Sequence, residues 1–158
     1  MDLDATDWKI LRELQRLHSP QEGRLTNVEL ASRVSLSPRP CLRRVQALEK
    51  AGVIAGYRAL PDAAALGFTV TLFAFAGLKS QAEAELRAVT ALVAQWPWVR
   101  EAYAISGEAD FRLKLVARGL PSLQNDIIRD LTSAPNVENV TTTLMLRVAK
   151  YEPGVPIP

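Results

Sequence analysis

The sequence predicts an α+β protein: three short helices and a small wing at the N-terminus, then a βαββαβ unit. Three observations carry this. Residues 1–50 repeat apolar side chains at helical spacing between capping residues. From Phe68 the pattern becomes alternation typical of strands. The later segments then follow in the order strand, helix, strand, strand, helix, strand. The chain has 158 residues, enough for one domain or two small ones, and its 48% hydrophobic share fills a core rather than a long disordered segment.

The first helix starts at Asp4, an N-cap, with Asp7 in the third helical position near the positive end. Ile10, Leu11, Leu14 and Leu17 form its apolar stripe, and Ser19-Pro20-Gln21-Glu22-Gly23 breaks it. Thr26-Asn27-Val28-Glu29 has capping-box spacing, and Leu30, Ala31 and Val34 make a short inner face. Ser35-Leu36 is a tight break. Ser37 is the next N-cap and Pro38 occupies the first helical position, where its missing N–H costs nothing. This third helix runs to about Lys50, with Ala51-Gly52 as its stop.

Charge is concentrated there. Residues 33–58 hold Arg33, Arg39, Arg43, Arg44, Lys50 and Arg58 against Glu49 alone, whereas the whole chain is only +2. By itself such a run is either a surface for an anionic partner or a solvated helix face. Its placement adds to this. Cys41, Val45 and Leu48 should pack inward with Leu42 beside them, leaving Arg39, Arg43, Gln46 and Lys50 on another face and Pro40, Arg44 and Ala47 alongside. Two short helices around a brief turn, the second opening Ser-Pro and rich in Arg, form a helix-turn-helix pattern. Double-stranded DNA is the partner this pattern suits. Arg39 and Arg43 are candidates for base edges, assisted by Ser37. Arg44, Lys50, Arg58, Thr26 and Asn27 are candidates for phosphate. Val53 to Leu60 is β-prone and is expected to form a ribbon, the wing of a winged helix-turn-helix. This gives a DNA-binding domain over 1–60 and a linker over 61–67.

The second domain is expected over 68–150. Strand Phe68 to Leu78 carries large apolar groups on both sides, so both of its faces should be covered. A helix from Gln81 to Gln95 is expected to turn Ala84, Ala88, Ala91 and Leu92 inward, with Leu86, Val89 and Val93 nearby. Strands Val99 to Ser106 and Phe111 to Ala117 flank the turn Gly107-Glu108-Ala109-Asp110. Pro121 opens a helix through Leu131 with the stripe Leu123, Ile127, Ile128 and Leu131. The last strand runs from Val137 to Val148. This βαββαβ order is the ferredoxin-like plan. Two helices cover one face of a four-stranded sheet, so Thr and Phe of the first strand and Met145 of the last point to a second subunit on the other face. The Pro-rich tail 151–158 is expected to be extended and mobile.

Several function classes are disfavoured. One cysteine, Cys41, excludes an internal disulfide framework and a Cys-rich zinc site. One histidine, His18, leaves little for metal or triad chemistry, so no catalytic residue, metal or cofactor is expected. Cys41 reads as a small buried hydrophobe and His18 as a helix-end charge. Trp96 and Trp98 read as packing groups at a helix–strand junction. No apolar run approaches the ~20 residues of a membrane span. The acidic opening Met1-Asp2-Leu3-Asp4 is unlike a signal peptide, so a cytoplasmic protein is expected.

The chain resembles the Lrp/AsnC, or feast/famine, family of transcription regulators. The likeness lies in Leu3-Asp4 with Asp7 and Ile10-Leu11, in Arg24 to Ala31, and in Leu36-Ser37-Pro38 through Cys41-Leu42-Arg43-Arg44-Val45 to Leu48-Glu49. It continues through Gly52-Val53-Ile54, Gly56-Tyr57, Leu66-Gly67 and Gly107-Glu108-Ala109-Asp110-Phe111, spanning roughly residues 3–150. The resemblance implies a homodimer that assembles to a tetramer or octamer, with an amino acid or related small metabolite bound between dimers. It places the Gly107 turn at that pocket. Gly107 would let the backbone approach the ligand, Asp110 would receive an α-ammonium group, and Ser106, Glu108 and Thr143 would be polar neighbours. A plain hairpin turn is the competing reading of the same residues. Three departures stand out: a longer loop from Leu17 to Arg24, Arg39-Pro40 after Ser37-Pro38, and Phe111 where Tyr is common.

The function expected is therefore a sequence-specific, effector-responsive transcription regulator. The alternative is an architectural, nucleoid-type DNA-binding protein without an effector. A metabolic enzyme built on the βαββαβ part is disfavoured by the missing catalytic constellation.

Overall fold

The computed structural model describes residues 2–16 and 25–158. Leu17, His18, the Ser19–Gly23 break and the loop to Arg24 lie outside the described residues. The chain divides into two compact units, residues 1–59 with 151–158, and residues 60–150.

The first unit holds α1 (Ala5–Gln15), α2 (Asn27–Arg33) and α3 (Pro38–Lys50). Asp4 and Asp7 close a reciprocal capping box on α1, and Thr26 and Glu29 close another on α2. Ser35 sits at φ 58 in the break between α2 and α3, and Gly52 at φ 71 ends α3. Ser37 has N-cap backbone geometry, but its hydroxyl makes no capping bond. Ile10, Leu30, Ala31, Val34, Cys41, Val45 and Leu48 form one buried core, with Leu11 and Leu14 packed against it. Leu42, expected beside that core, is exposed instead.

The expected wing does not form a ribbon: no strand occurs between α3 and the sheet. A ribbon needs a second strand to complete its ladder, and residues 62–68 instead coil into a local turn. There the Asp62 carboxylate accepts from the Ala65 amide at 2.7 Å, and the Phe68 amide donates to the Ala63 carbonyl at 2.8 Å. The Tyr57 hydroxyl turns back to Glu49 of α3 at 2.9 Å.

The tail is extended but packs with the first unit. Gln15 Nε2 donates to the Val155 carbonyl at 2.6 Å, and the Val155 amide returns a bond to Gln15 Oε1 at 3.3 Å.

The second unit holds β1 (Val70–Leu78), α4 (Glu83–Val93), β2 (Val99–Ala104), β3 (Phe111–Ala117), α5 and β4 (Val137–Leu144). Here α5 is a continuous helical segment made of Leu120–Ser122, a π-helical stretch Leu123–Ile128, and Arg129–Thr132. The sheet order is β2-β3-β1-β4, with every neighbouring pair antiparallel. This is the ferredoxin-like topology.

Leu72, Ala74, Ala76, Leu113 and Leu115 lie on the helix-covered face and pack with Val89, Val93, Leu123, Ile127 and Leu131. The inward face of α4 is Leu86, Val89, Leu92 and Val93 rather than the alanines; Ala84, Ala88 and Ala91 are exposed. Larger side chains bury more apolar area per position, so they set the rotation of the helix. The last strand stops at Leu144, opposite Leu72, near the start of β1. Beyond it Leu146 and Val148 leave the sheet and are exposed.

Candidate nucleic-acid interface and effector turn

The helix-turn-helix candidates fall into two groups. Ser37, Arg39, Arg43 and Lys50 are exposed along α3, and Arg58 is exposed beyond it. Their charged groups have no ion-pair partner among the described residues. The cationic face of α3 is thus free while Cys41, Val45 and Leu48 anchor its other side.

The other three are engaged within the fold. The Thr26 hydroxyl accepts from the Glu29 amide at 3.2 Å and donates to Glu29 Oε2 at 2.7 Å. Asn27 Nδ2 donates to the Pro38 carbonyl at 2.9 Å, tying the start of α2 to the start of α3. Arg44 Nη1 bonds Asp4 Oδ2 at 2.7 Å and Asp7 Oδ1 at 2.8 Å. Asp7 is a buried carboxylate, only 5% exposed. The bonds from Asp4 and then Asp7 push the Arg44 guanidinium further toward its protonated form. The Asp7 amide, followed by Arg44, holds the Asp4 carboxyl below its usual range. The phosphate contacts expected of Thr26, Asn27 and Arg44 therefore compete with intramolecular bonds that already use the same groups. The sequence marks Asp4 as an N-cap and Asp7 as a first-turn acid, and gives no signal that an arginine 37 residues beyond Asp7 joins them.

The effector candidates are likewise split. Ser106, Gly107 and Glu108 are exposed in the turn between β2 and β3. Gly107 has φ 135, and a Cβ there would meet nothing within 4 Å. Its glycine is required by backbone conformation, not by crowding. Asp110 is partly engaged: Oδ2 accepts from the Leu78 amide at 2.7 Å and Oδ1 from Gln81 Nε2 at 2.8 Å. Its own amide donates to the Ala76 carbonyl and its carbonyl accepts from Ile105, both at 3.0 Å. Asp110 thus braces the turn against the end of β1, a role its position in the sequence did not reveal. Thr143 is opposite Phe73 on β4, with β1 between it and β3. Within one chain it is not part of the Gly107 turn.

On the sheet face away from the helices lie Phe73, Phe75, Arg112, Lys114 and Thr143. The Arg112 guanidinium sits 4.4 Å from the Phe73 ring centroid, and Lys114 Nζ pairs with Glu101 at 2.9 Å. Buried Cys41 has its thiol pushed toward the neutral form by desolvation. Trp96 and Trp98 stack on each other at 4.7 Å between centroids.

Residues 3–55 match the winged helix-turn-helix DNA-binding family model, and residues 71–155 match that of the Lrp/AsnC ligand binding domain. The chain belongs to the Lrp/AsnC family. Its similarity to the leucine-responsive regulatory protein of Rhizobium meliloti is 53% identity over 150 residues, covering 95% of this chain and 93% of that protein. The leucine-responsive regulatory protein of Escherichia coli K12 is 33% identical over 149 residues, covering 94% and 88%. Among solved structures, a transcriptional regulator of Neisseria meningitidis in complex with L-Met superposes with a TM-score of 0.88 at 34% identity, over 98% of this chain and 97% of that one. Escherichia coli AsnC gives a TM-score of 0.80 at 26% identity, with both chains fully covered. This Lrp/AsnC protein is a DNA-binding transcription regulator whose second unit is of the family's ligand-binding type. No helix among its described residues is long and apolar enough to cross a membrane.

Proposed function

We propose that this Lrp/AsnC protein is a cytoplasmic, sequence-specific regulator that reads DNA with α3 and answers to an amino acid or related metabolite through its ferredoxin-like unit. The observation that carries the reading is the face of α3. Arg39 and Arg43 stand exposed and unpaired among the described residues, opposite a buried apolar side. Arg39 and Arg43 then reach base edges with Ser37, while Lys50 and Arg58 hold phosphate. Thr26, Asn27 and Arg44 shape the motif rather than touch the duplex. A homodimer formed through the open sheet face sets two recognition helices on half-sites about one helical turn apart, or a multiple of it. The partly exposed Phe73, Phe75 and Met145 on that face support this. Dimers join into tetramers or octamers, and effector binding at the Gly107 turn biases that assembly. The L-Met bound in the Neisseria meningitidis regulator supports an amino acid as the effector class. Thr143 would reach this pocket only if another subunit brings it there.

The test has two parts. Titrations at fixed salt compare a duplex selected by the protein from a random pool with a random duplex. Thermal shift across a panel of amino acids tests the effector, since a ligand that binds only the native state raises the midpoint. Equal affinity for both duplexes removes the sequence-specific reading, and a flat panel removes the amino acid.

A further inference from the structure

The three-helix core is made of apolar side chains, whose attraction is non-directional and so specifies the rotation of α3 against α1 less sharply than a directional contact does. Hydrogen-bonded charges are directional. On the flank of α3 beside that core, Pro40, Arg43, Arg44 and Ala47 line a groove of about 390 Å³ with Asp7 of α1.

The bonding there is a closed set. Asp4 spends Oδ1 on the amides of Thr6 and Asp7, at 2.8 and 2.9 Å, which caps α1. Asp7 spends Oδ2 on the Asp4 amide at 3.1 Å, which completes the box. Each carboxylate then has one oxygen left, Asp4 Oδ2 and Asp7 Oδ1, and a single nitrogen of Arg44 bonds both. A capping box needs only one oxygen of each carboxylate. The two spare oxygens converge on α3 and on nothing else among the described residues.

We infer that Arg44 is a positioning residue: it locks the roll of α3 to the capping box of α1 and so aims Arg39 and Arg43 at the base edges, without itself touching DNA. The inference rests on the reading of α3 as the DNA-contacting helix. Two charges oppose a phosphate at this place. Asp4 and Asp7 already neutralise the guanidinium, so an approaching phosphate meets less uncompensated positive charge at Arg44 than at Arg39 or Arg43. Releasing Arg44 to reach a phosphate would also strand Asp7, which is buried. Arg43, one residue earlier, carries no such partner.

The salt dependence of binding separates the two roles, because each phosphate contact contributes about 0.9 to the slope of log K against log salt. Full-length chains are titrated with a random duplex over a salt series and with the selected duplex at one salt concentration. Arg44→Met is expected to keep the wild-type slope while losing roughly tenfold in discrimination between the duplexes. Asp7→Asn, which leaves Arg44 in place, is expected to show the same loss, and the double variant no more than either single one. Should Arg44→Met not fold, Asp7→Asn decides alone. A slope smaller by about 0.9 in Arg44→Met overturns the inference. So does wild-type discrimination in Asp7→Asn, or losses that simply add in the double variant. Arg43→Ala is the control: if neither its slope nor its discrimination changes, it is the reading of α3 that fails, and not the assignment of Arg44.

Discussion

Gln81 holds Asp110: its Nε2 donates to Asp110 Oδ1 at 2.8 Å, while the other carboxylate oxygen takes the Leu78 amide at 2.7 Å. The turn that carries the effector candidates is thus fixed from beneath by a charge-assisted bond to the end of β1. Asp110→Ala leaves the partly buried Leu78 amide without this acceptor. The expected cost is about 1–3 kcal/mol, read as a lower urea midpoint with an unchanged slope. An unchanged midpoint shows that the bond adds nothing to stability.

The same residue tests where the effector sits. If the turn forms the pocket, Asp110→Ala also weakens the thermal shift produced by the active amino acid, beyond the fall in the unliganded midpoint. A wild-type shift in that variant moves the pocket away from Gly107 and Asp110.

Acid sensitivity follows from Asp4. Its folded carboxyl titrates below the ordinary value of 3.8. Its contribution is therefore fully present above that value and is lost as pH falls through the lower, folded one. Urea midpoints of wild type and Asp4→Asn should differ near neutrality and converge as pH falls through the lowered folded value. A gap that stays constant into strong acid contradicts the cap and its link to Arg44.

Leu48 is fully buried in the core of the first unit, and that core shares no residue with the core of the second. Leu48→Ala should cost about 2–5 kcal/mol. DNA binding should be lost at a lower temperature than in wild type, while the circular dichroism of the sheet unit persists. Loss of both signals together at the lower temperature argues against separate cores.

Cys41 gives a further readout. Its side chain is fully buried and its thiol is held toward the neutral form. Native chain should therefore resist a thiol reagent that labels it at once in denaturant. Rapid labelling of the native chain contradicts the inward face assigned to α3.

Local signals made most of the fold legible. Ser37-Pro38 and Ala51-Gly52 bracket α3, the Asp4–Asp7 and Thr26–Glu29 spacings place two helix starts, and alternation over Phe111–Ala117 marks β3 without error at either end. Three features were out of reach because they depend on residues far apart in the chain. The Arg44 cluster joins two helices, and each of its members also has a plausible local role. The rotation of α4 is chosen by what the sheet offers, so Leu86 and Val89 win over the alanine stripe. The end of β4 is set by where β1 begins, and the apolar alternation through Leu146 and Val148 continues past that point. Of the site, the exposed cations of α3 were visible from charge and period alone. Nothing local distinguishes Arg43, which is free, from Arg44, which is paired.

The most direct test of the central claim is a comparison of affinities for selected and random duplexes at one salt concentration, for wild type and Arg43→Ala. Wild type should prefer the selected duplex by at least about a thousandfold, and Arg43→Ala should lose about 1–3 kcal/mol of that preference. Equal affinity of wild type for both duplexes, or an unchanged preference in Arg43→Ala, would contradict the assignment of α3 as the element that reads sequence.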